Sequence, residues 1–461
     1  MLAKPAEQTP LIADFAVRLL HEAGVPETAL QLLPGAGDVG AALTSAPEVS
    51  GTAFTGATET AQIIHRSMAG NLEPGAPLIA ETGGLNAMIV DSTALPEQAV
   101  QAIVESAFQS AGQRCSALRC LYVQEDVAET LLDMLKGAMQ SLAIGDPWDP
   151  ATDVGPVIDV EAQNTILDHI GEAAREGRVL QQVPVPQTGT FVPPTLIRVN
   201  GIADMTREIF GPVLHVATFK ARQIDKVIDA INGTGYGLTF GLQTRIDERV
   251  QHITERIEAG NIYVNRNQIG AIVGSQPFGG EGLSGTGPKA GGPHYLTRFS
   301  ERPAPISGSA WDGNMDEKAI TKVLAKPQGN AEPRALILPG PTGESNKLTV
   351  FARDPLLCLG PGKEAAKAQV DAVLALGGQA VAATGHVAPE ALTTLSGTSG
   401  ALWWGDEDTA RAYAKALSER DGPILPLVTG APDTGHACHE RHVCVDTTAA
   451  GGNAALLGGV A

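Results

Sequence analysis

The residue whose type and setting most directly suggest covalent chemistry is a single cysteine at a turn. Cys115 lies in the stretch 110–116, which follows a predicted helix and precedes a predicted strand, and Gly112 and Arg114 stand close to it. Backbone N–H groups and a neighbouring cation at such a turn can lower the pKa of a thiol toward the reactive thiolate. A free cysteine is more often a small buried hydrophobe. Its position alone therefore leaves both roles open for Cys115.

A carboxylate is the second group that could carry chemistry. Glu81 stands at the carboxyl end of the predicted strand 77–80, and Gly83 and Gly84 follow it after one residue. Open α/β sheets place functional groups at this edge. The alternative is a solvated carboxylate at a strand end, which by position alone is the commoner case.

Two glycine-rich turns could bind phosphate groups. Residues 35–40 match the GxGxxG pattern after an apolar strand, and residues 54–59 run from a strand through Gly56 into a helix. Each pattern carries little information alone, because the chain contains 53 glycines. Two later turns, at 338–343 and 360–364, lack the GxxxxGK spacing of a P-loop, so we predict no phosphate site there.

A short segment near the C-terminus combines several side chains that can bind metals. They are His436, Cys438, His439, His442 and Cys444. Their spacing matches neither a zinc finger nor a zinc ribbon, and His442 and Cys444 would share one face of a strand. We therefore predict a loop that leads into a strand, and no metal site.

The elements that position these residues alternate between strands and helices. Helical spacing recurs at 11–23, 58–68, 97–110, 126–140, 161–176, 222–231 and 246–258, and apolar strands separate these helices. Residues 301–333 are polar and rich in turn residues, which predicts a linker. From 334 the alternation resumes, with helices at 363–376 and 407–419. This order predicts an α/β fold with doubly wound parallel sheets, followed by a second α/β domain.

The composition excludes several classes of function. The chain has 461 residues, with 32 Lys and Arg against 51 Asp and Glu, and its formal net charge is −19. This charge disfavours nucleic acid or an anionic membrane as a partner. The sequence contains neither a run of about 20 apolar residues, which a membrane helix needs, nor the apolar core of a signal peptide at its start. Five scattered cysteines suggest no disulfide framework, so we expect a cytoplasmic protein.

Six sequence blocks in a fixed order resemble the aldehyde dehydrogenase family. They are 4–10 (KPAEQTP), 54–56 (FTG), 81–84 (ETGG), 112–115 (GQRC), 208–212 (EIFGP) and 277–280 (PFGG). Within that family, the stretches 263–267, 273–282 and 287–293 are similar to the glutamate-semialdehyde dehydrogenase module of bacterial bifunctional proline-utilisation proteins. Residues 334–461 resemble the extra, non-catalytic C-terminal domain of the longer proteins of this group, and their tail resembles the segment that closes the substrate cavity and the dimer.

This resemblance implies the NAD-dependent oxidation of L-glutamate 5-semialdehyde to L-glutamate in proline catabolism. Cys115 would attack the aldehyde to give a thiohemiacetal, hydride transfer to NAD would give a thioester, and Glu81 would be the general base for its hydrolysis. The implied cofactor contacts are Lys4, Glu7, Gly37, Gly56, Ala57, Thr58, Gly83, Glu208 and Phe210. The implied substrate contacts are Ser116, Gly270, Ala271 and Phe278. At Ala57 the family often has a hydroxyl side chain, which this chain lacks.

The resemblance also implies a division into domains. Residues 1–95 would be part of an NAD-binding domain, 96–300 the catalytic domain, 301–333 the linker, and 334–461 the C-terminal domain and tail. The family's first strands and helices, with the asparagine that completes the oxyanion hole, have no counterpart in the sequence, and a proline dehydrogenase domain would lie further upstream. We therefore expect a fragment of a larger, homo-oligomeric enzyme. An enzyme for another aldehyde and a non-catalytic dimerising fragment are the alternatives.

Overall fold

A ten-stranded sheet forms the centre of the part of the chain that the computed structural model describes, residues 1–300, 302–306, 308–329 and 332–448. Its interior strand pairs are parallel, and antiparallel pairs close both edges. From one edge to the other the strands are Arg334–Leu338, Glu344–Ala352, Cys438–Asp446, Asn261–Val264, Thr239–Gln243, Ala87–Val90, Cys120–Gln124, Val213–Phe219, Thr195–Arg198 and Val179–Gln182. The predicted α/β fold with a doubly wound sheet is confirmed. The predicted tail, from residue 449, lies outside the described residues.

Most of the helices agree with the helical periodicity of the sequence to within a few residues. In chain order they are Pro10–Glu22, Gly37–Ser45, Thr58–Asn71, Pro96–Phe108, Glu125–Gln140, Val160–Arg175, Ile224–Asn232, Asp247–Arg256, Glu317–Leu324, Gly362–Ala375, Glu407–Ser418 and Thr434–Ala437. Within the described ranges, no helix combines the length and the apolar character that crossing a membrane requires.

Side-chain alternation explains why the central strands are apolar throughout. In the strand Ala87–Val90, Met88 and Val90 pack into one hydrophobic core, whereas Ala87 and Ile89 pack into another on the opposite face. Successive residues of a strand point to opposite faces, and a parallel sheet covered by helices on both faces must be apolar on both. Helices therefore have to cover both faces of the sheet. The ends of the strands are left uncovered.

Smaller sheets surround the central one. The two-stranded pairs are Leu2–Ala3 with Gln31–Leu32, Thr52–Gly56 with Leu78–Thr82, Tyr236–Gly237 with Glu281–Gly282, and Asn314–Met315 with His386–Val387. A parallel sheet in the later part of the chain consists of Ala380–Ala382, Leu356–Cys358, Ala401–Leu402 and Leu427–Val428. The pair that ends at Thr82 carries Glu81, so this small sheet positions one of the two residues predicted to act in catalysis.

The first helix has an open apolar face. None of the 13 residues of Pro10–Glu22 is buried against the described part of the chain, although Leu11, Phe15 and Leu19 recur at helical spacing. Leu11 is 85% exposed and Phe15 is 57% exposed. A contiguous apolar patch of this kind is typical of a surface that contacts other protein.

The central sheet continues across the boundary that the sequence suggested at 301–333. Strand Cys438–Asp446 pairs in parallel with Asn261–Val264 and in antiparallel with Glu344–Ala352. The strand Asn261–Val264 would otherwise leave its backbone N–H and C=O groups unpaired at the edge of the sheet. The later part of the chain therefore completes the sheet that carries the site, a contact that neither composition nor periodicity indicates.

The segment 301–333 differs from a simple linker. It contains the helix Glu317–Leu324, and Met315, Ile320 and Leu324 are buried in the core of the later part of the chain. The surrounding polar and turn-rich residues obscure these apolar positions in the sequence. The connection is therefore packed along part of its length.

Candidate active site

A left-handed turn places Cys115. The helix before it ends at Phe108, and the chain then turns sharply. Ser110 (φ 56°), Ala111 (φ 54°) and Gly112 (φ 66°) all have left-handed backbone conformations. A side chain at Gly112 would overlap a neighbouring backbone carbonyl, so this position requires glycine. Left-handed residues other than glycine cost roughly 1–2 kcal/mol each, and strain of this kind concentrates at functional sites.

The buried side chain of Asn86 fixes the backbone around Cys115. Its amide group donates to the carbonyl of Cys115 at 2.7 Å and to that of Ala117 at 2.9 Å. Its Oδ1 accepts the backbone N–H of Thr239 at 3.2 Å. Asn86 thus connects the turn to the ends of two adjacent strands of the central sheet.

The surroundings of Cys115 raise the pKa of its thiol. Burial contributes most, and the carboxylates of Glu208 and Glu81 add to it, whereas the backbone N–H groups of Ser116 and Cys115 act in the opposite direction. The lowering of the thiol pKa that such a turn can produce does not occur here, because burial and two nearby carboxylates outweigh the N–H groups. A thiol in this setting needs a proton acceptor before it can attack a substrate.

Glu81 is a buried carboxylate in the same site, and its charge acts on Cys115. Its Oε2 accepts the N–H of Gly280 at 3.1 Å, and its Oε1 is buried without a hydrogen-bond partner among the described residues. A Cβ on Gly279 or Gly285 would come within 3.0 or 3.1 Å of the carboxylate, so glycine backbone packs tightly around it. Burial raises the pKa of Glu81 to about 8, although the charge of Lys289 acts against this. A carboxylate of this pKa is a stronger base than a solvated one.

The ion pair between Arg119 and Glu208 joins the Cys115 turn to another wall of the site. Arg119 is fully buried, and its Nε and Nη2 donate to Oε1 of Glu208 at 3.1 and 3.0 Å. Its Nη1 donates to the carbonyl of Gly112 at 2.7 Å. Burial raises the pKa of Glu208, and the charge of Arg119 opposes this shift. Oε2 of Glu208 lies against Gly83, where a side chain would overlap it.

Lys4 and Glu7 lie together beside a second helix. Their charged groups are 3.9 Å apart, and both remain accessible to solvent. The stem of Lys4 passes 3.6 Å from the place where a Cβ on Gly40 would stand, in the helix that begins with Gly37. The structure therefore brings Lys4, Glu7 and this helix into one area.

The N-terminus of the 14-residue helix Thr58–Asn71 follows directly after Gly56 and Ala57. Ala57 is its N-cap, and no side-chain hydrogen bond caps the helix within the residues that the structure describes. A Cβ on Gly56 would overlap the ring of Phe54, so this close approach requires glycine. The open N–H groups and the dipole of a helix N-terminus favour an anion such as a pyrophosphate.

These groups fit NAD. The cofactor presents ribose hydroxyls, a pyrophosphate and a nicotinamide ring, and the site offers an accessible ion pair, an uncapped helix N-terminus and an aromatic surface. The ring of Phe210 is 45% exposed and lies 5.1 Å from the guanidinium carbon of Arg119. Oε2 of Glu208, against Gly83, is placed to accept a hydroxyl hydrogen bond.

Gly270 and Ala271 lie on an exposed loop near Cys115. Nη1 of Arg114 is 3.7 Å from the place where a Cβ on Gly270 would stand. The hydroxyl of Tyr263 donates to the carbonyl of Gly270 at 3.5 Å. The loop therefore combines accessible backbone with a cation next to the cysteine, which is the chemistry that a carboxylate requires.

Ser116 and Phe278 take different positions at the site. Ser116 is only 3% exposed, and its carbonyl accepts the hydroxyl of Thr239 at 3.1 Å, so its side chain offers little surface to a ligand. Phe278 is half-buried, and its backbone exchanges two hydrogen bonds with Ala290 at 3.0 and 2.9 Å. Phe278 therefore belongs to the wall that includes the glycines around Glu81.

Four of the five candidate metal ligands near the C-terminus lie in the central sheet, and His436 lies in the short helix before it. His442 and Cys444 are buried on one face of the strand Cys438–Asp446. Among the residues described, no group of three or more His, Cys, Asp and Glu side chains is arranged to hold a metal ion. Cys444 instead contacts Nη1 of Arg266 at 3.2 Å, and Arg266 also pairs with Glu344.

Three residues of the site were not assigned a role from the sequence. Arg119 had a detectable signal, because a charge inside the apolar stretch 117–123 must find a buried partner. Lys289 lies in one of the blocks that carry the family resemblance, but its charge has no evident role until its neighbours are known. Asn86 has no signal, because nothing in its local sequence indicates which carbonyl groups it meets.

Three comparisons with known proteins bear on this site. The model of the aldehyde dehydrogenase family matches residues 1–303. The bifunctional protein PutA of Klebsiella aerogenes is 43% identical over 513 aligned residues, 98% of this chain and 39% of PutA. The 1-pyrroline-5-carboxylate dehydrogenase of Geobacillus kaustophilus strain HTA426 is 40% identical over 304 residues, 64% of this chain and 58% of that protein. The crystal structure of 1-pyrroline-5-carboxylate dehydrogenase from Thermus with bound NAD has a TM-score of 0.61 at 35% identity, over 65% of this chain and 59% of that one. The chain thus spans less than half the length of the PutA protein that it matches.

Proposed function

Since this chain belongs to the aldehyde dehydrogenase family, we propose that it carries the NAD-dependent oxidation of L-glutamate 5-semialdehyde to L-glutamate. The semialdehyde is the open-chain form of 1-pyrroline-5-carboxylate, the compound named for two of the similar proteins. The observation that carries the proposal is the juxtaposition of the Cys115 thiol with the carboxylate of Glu81, each held by backbone hydrogen bonds.

Covalent chemistry begins at Cys115. Its thiol loses a proton to solvent, and the sulfur attacks the aldehyde carbon to form a thiohemiacetal. The backbone N–H groups of Ser116 and Cys115, which face the sulfur, are placed to stabilise the oxyanion that develops. NAD, when bound, accepts the hydride that leaves the carbon, which converts the thiohemiacetal into a thioester. Lys4, Glu7, Gly37, Gly56, Ala57, Thr58, Gly83, Glu208 and Phe210 would hold it.

Hydrolysis of the thioester returns Cys115 to the thiolate that attacks the next aldehyde. Glu81, as a carboxylate, takes a proton from a water molecule, and the water oxygen attacks the thioester carbon. The carbon–sulfur bond then breaks and the sulfur keeps the electron pair. Glu81 and the product acid each release a proton to solvent, and the product leaves as a carboxylate. The thiolate of Cys115 is regenerated, and one water molecule is consumed in each cycle.

The loop that carries Gly270 and Ala271 is proposed to bind the amino acid end of the substrate. The backbone of this loop is exposed, and the guanidinium of Arg114 lies next to it, which gives local positive charge in a chain whose net charge is −19. Phe278 would pack against the aliphatic middle of the substrate. Ser116, which is almost fully buried, would contribute at the aldehyde end of the substrate, through its backbone N–H beside the sulfur of Cys115.

NADH formation from the semialdehyde tests this proposal. The chain is expected to reduce NAD with the semialdehyde. Cys115→Ala is expected to be inactive, and Cys438→Ala, which removes another buried thiol, is expected to retain activity. Butanal, which lacks the amino acid end, is expected to react more slowly. Activity that survives Cys115→Ala would contradict the nucleophile, and a preference for butanal would favour an enzyme for another aldehyde.

A non-catalytic, dimerising role is the second candidate. The observation that favours it is the open apolar face of Pro10–Glu22, which is typical of a protein interface. The same face is compatible with the proposed homo-oligomer, and with fusion to an upstream proline dehydrogenase domain in a cytoplasmic protein. Absence of NADH formation from any aldehyde, in a chain that is folded and dimeric by analytical ultracentrifugation, would favour this role.

A further inference from the structure

We propose that Lys289 is a positioning residue for Glu81: its ammonium group holds the Gly279–Gly280 peptide against the Glu81 carboxylate and favours the ionised form of that carboxylate. This inference rests on the proposed function for the role of Glu81 as general base. The coupling between the two side chains is itself independent of that function, and it can be measured without turnover.

A single peptide group connects the two charges. Nζ of Lys289 donates to the carbonyl oxygen of Gly279. The N–H of the same peptide group, on Gly280, donates to Oε2 of Glu81 at 3.1 Å. The carbonyl end of the peptide dipole thus faces the cation and the N–H end faces the anion. Consecutive hydrogen bonds in this orientation polarise and strengthen one another.

The ammonium group is held firmly in this position. Lys289 is 3% exposed, and its Nζ also donates to Oδ1 of Asn261 at 2.8 Å. The same Oδ1 accepts the N–H of Gly279 at 3.2 Å, so Asn261 fixes both the lysine and the peptide. The backbone N–H of Lys289 donates to Oε2 of Glu440 at 2.8 Å. A fixed ammonium pays no reorganisation cost when the charge of Glu81 changes during catalysis.

Several charged groups act on this pair. Lys289 interacts with the carboxylates of Glu81, Glu440 and Glu281 and with the guanidinium of Arg441, and Glu81 interacts with Lys289 and Glu440. The charge of Glu81 raises the pKa values of Cys115 and Tyr295, and the charge of Lys289 lowers those of His439 and His442.

Burial and charge oppose each other at both members of the pair. Burial raises the pKa of Glu81 to about 8, and the positive charge of Lys289 limits this rise. Burial lowers the pKa of Lys289 to about 8, and the nearby carboxylates limit this fall. The two oxygens that Nζ of Lys289 contacts directly, Oδ1 of Asn261 and the backbone carbonyl of Gly279, belong to neutral groups, so the carboxylates beyond them keep it charged. Each member therefore depends on the other for its charge.

Two substitutions should shift the ionisation of Glu81 in opposite directions. Lys289→Met removes the cation, which should raise the ionisation midpoint of Glu81 by about one pH unit or more, a factor of about ten in proton affinity. Glu440→Gln removes a like charge and keeps an oxygen that can accept the N–H of Lys289, which should lower the midpoint. Lys347→Met removes an exposed lysine and should leave it unchanged.

Infrared difference titration of the full chain measures this midpoint directly. The carboxylic acid C=O band of Glu81 is obtained at each pH by subtracting the spectrum of Glu81→Gln. The proposal expects an upward shift for Lys289→Met and a downward shift for Glu440→Gln. Unchanged midpoints, or shifts of both variants in one direction, would overturn it. Should Lys289→Met fail to fold, Lys289→Gln, which removes the charge and keeps a neutral donor for the carbonyl of Gly279, is expected to give the same upward shift, and an unchanged midpoint in this variant would overturn the proposal.

Steady-state kinetics separates this inference from the proposed function. With the semialdehyde and NAD, Lys289→Met is expected to keep the first burst of NADH, because attack and hydride transfer precede hydrolysis, and to shift the pH dependence of later turnover upward by the same amount as the infrared midpoint. If the infrared midpoints shift as expected but neither the wild type nor any variant forms NADH, the coupling between Lys289 and Glu81 is supported and the proposed function is rejected. NADH formation with unshifted pH profiles would retain the function and reject the role of Lys289.

Discussion

Two donors of Arg119, Nε and Nη2, reach a single oxygen of Glu208, Oε1, at 3.1 and 3.0 Å. The other oxygen of that carboxylate lies against Gly83, and the backbone N–H of Gly84 also contacts the carboxylate. Further donors of Arg119 reach the carbonyls of Gly112 and Arg114, in the turn before the cysteine. One buried guanidinium thus holds both the proposed nicotinamide side of the site and the turn of the nucleophile.

Arg119→Met is therefore expected to affect stability and cofactor binding together. The substitution leaves the carboxylate of Glu208 largely buried without its cation, which should lower the free energy of unfolding by about 3–5 kcal/mol. Urea denaturation measures this loss, and titration with NAD should show weaker binding. Arg119→Lys keeps the charge but not the forked geometry. Its free energy of unfolding and its affinity for NAD should lie between those of Arg119→Met and the wild type. Arg198→Met, which replaces an exposed arginine, is the control. An unchanged affinity for NAD in folded Arg119→Met would contradict the link between Arg119 and the cofactor.

Glu81→Gln is expected to separate the two halves of the reaction. Glutamine accepts no proton, so steady turnover should fall by about 10²–10⁴, whereas the first burst of NADH should remain. In the wild type the active base is the deprotonated form, and burial raises the pKa of Glu81 to about 8. The rate of hydrolysis should therefore rise as the pH increases through about 8 and level off above it. Stopped-flow measurements across pH test both effects, and Glu129→Gln, at an exposed helix position, should change neither.

Arg114→Met is expected to change substrate preference. Loss of a charge-assisted contact to the carboxylate of the semialdehyde, worth about 1.5–3 kcal/mol, should raise KM for that substrate by a factor of about 10–100. KM for butanal should stay the same, because butanal has no carboxylate. Arg222→Met, far from the site in sequence and exposed, serves as the control. An equal rise in KM for both aldehydes would contradict a carboxylate contact.

Glu344 connects the later part of the chain to the loop that is proposed to bind substrate. Its Oε1 accepts the amide groups of Gln276 at 2.9 Å and Asn346 at 2.8 Å, and its Oε2 pairs with Arg266. Glu344→Gln and Arg266→Met should each reduce stability. A double-mutant cycle measured by urea denaturation should give a coupling energy of about 0.5–3 kcal/mol. A coupling energy near zero would show that this pair does not hold the loop, and Lys347→Met on the same strand should have no effect.

Local sequence predicted the regular elements well. The helix expected at 126–140 is Glu125–Gln140, and the helix expected at 161–176 is Val160–Arg175. Both depend on periodicity, which is set by the few residues on either side of each position and needs no knowledge of distant contacts. The ordered motif blocks likewise indicated the family, and they pointed to Cys115 and Glu81 before their surroundings were known.

The sequence by itself thus determined the elements, the family and the residue types available for chemistry. The tertiary structure decided that Cys438–Asp446 completes the sheet of the earlier part of the chain, that the thiol of Cys115 has a raised pKa, and that one peptide lies between Lys289 and Glu81. Each of these depends on burial or on the pairing of segments far apart in the chain. Both are properties of the packed molecule, because the proton affinity of a side chain follows from the solvent and the charges around it, and local sequence does not specify them.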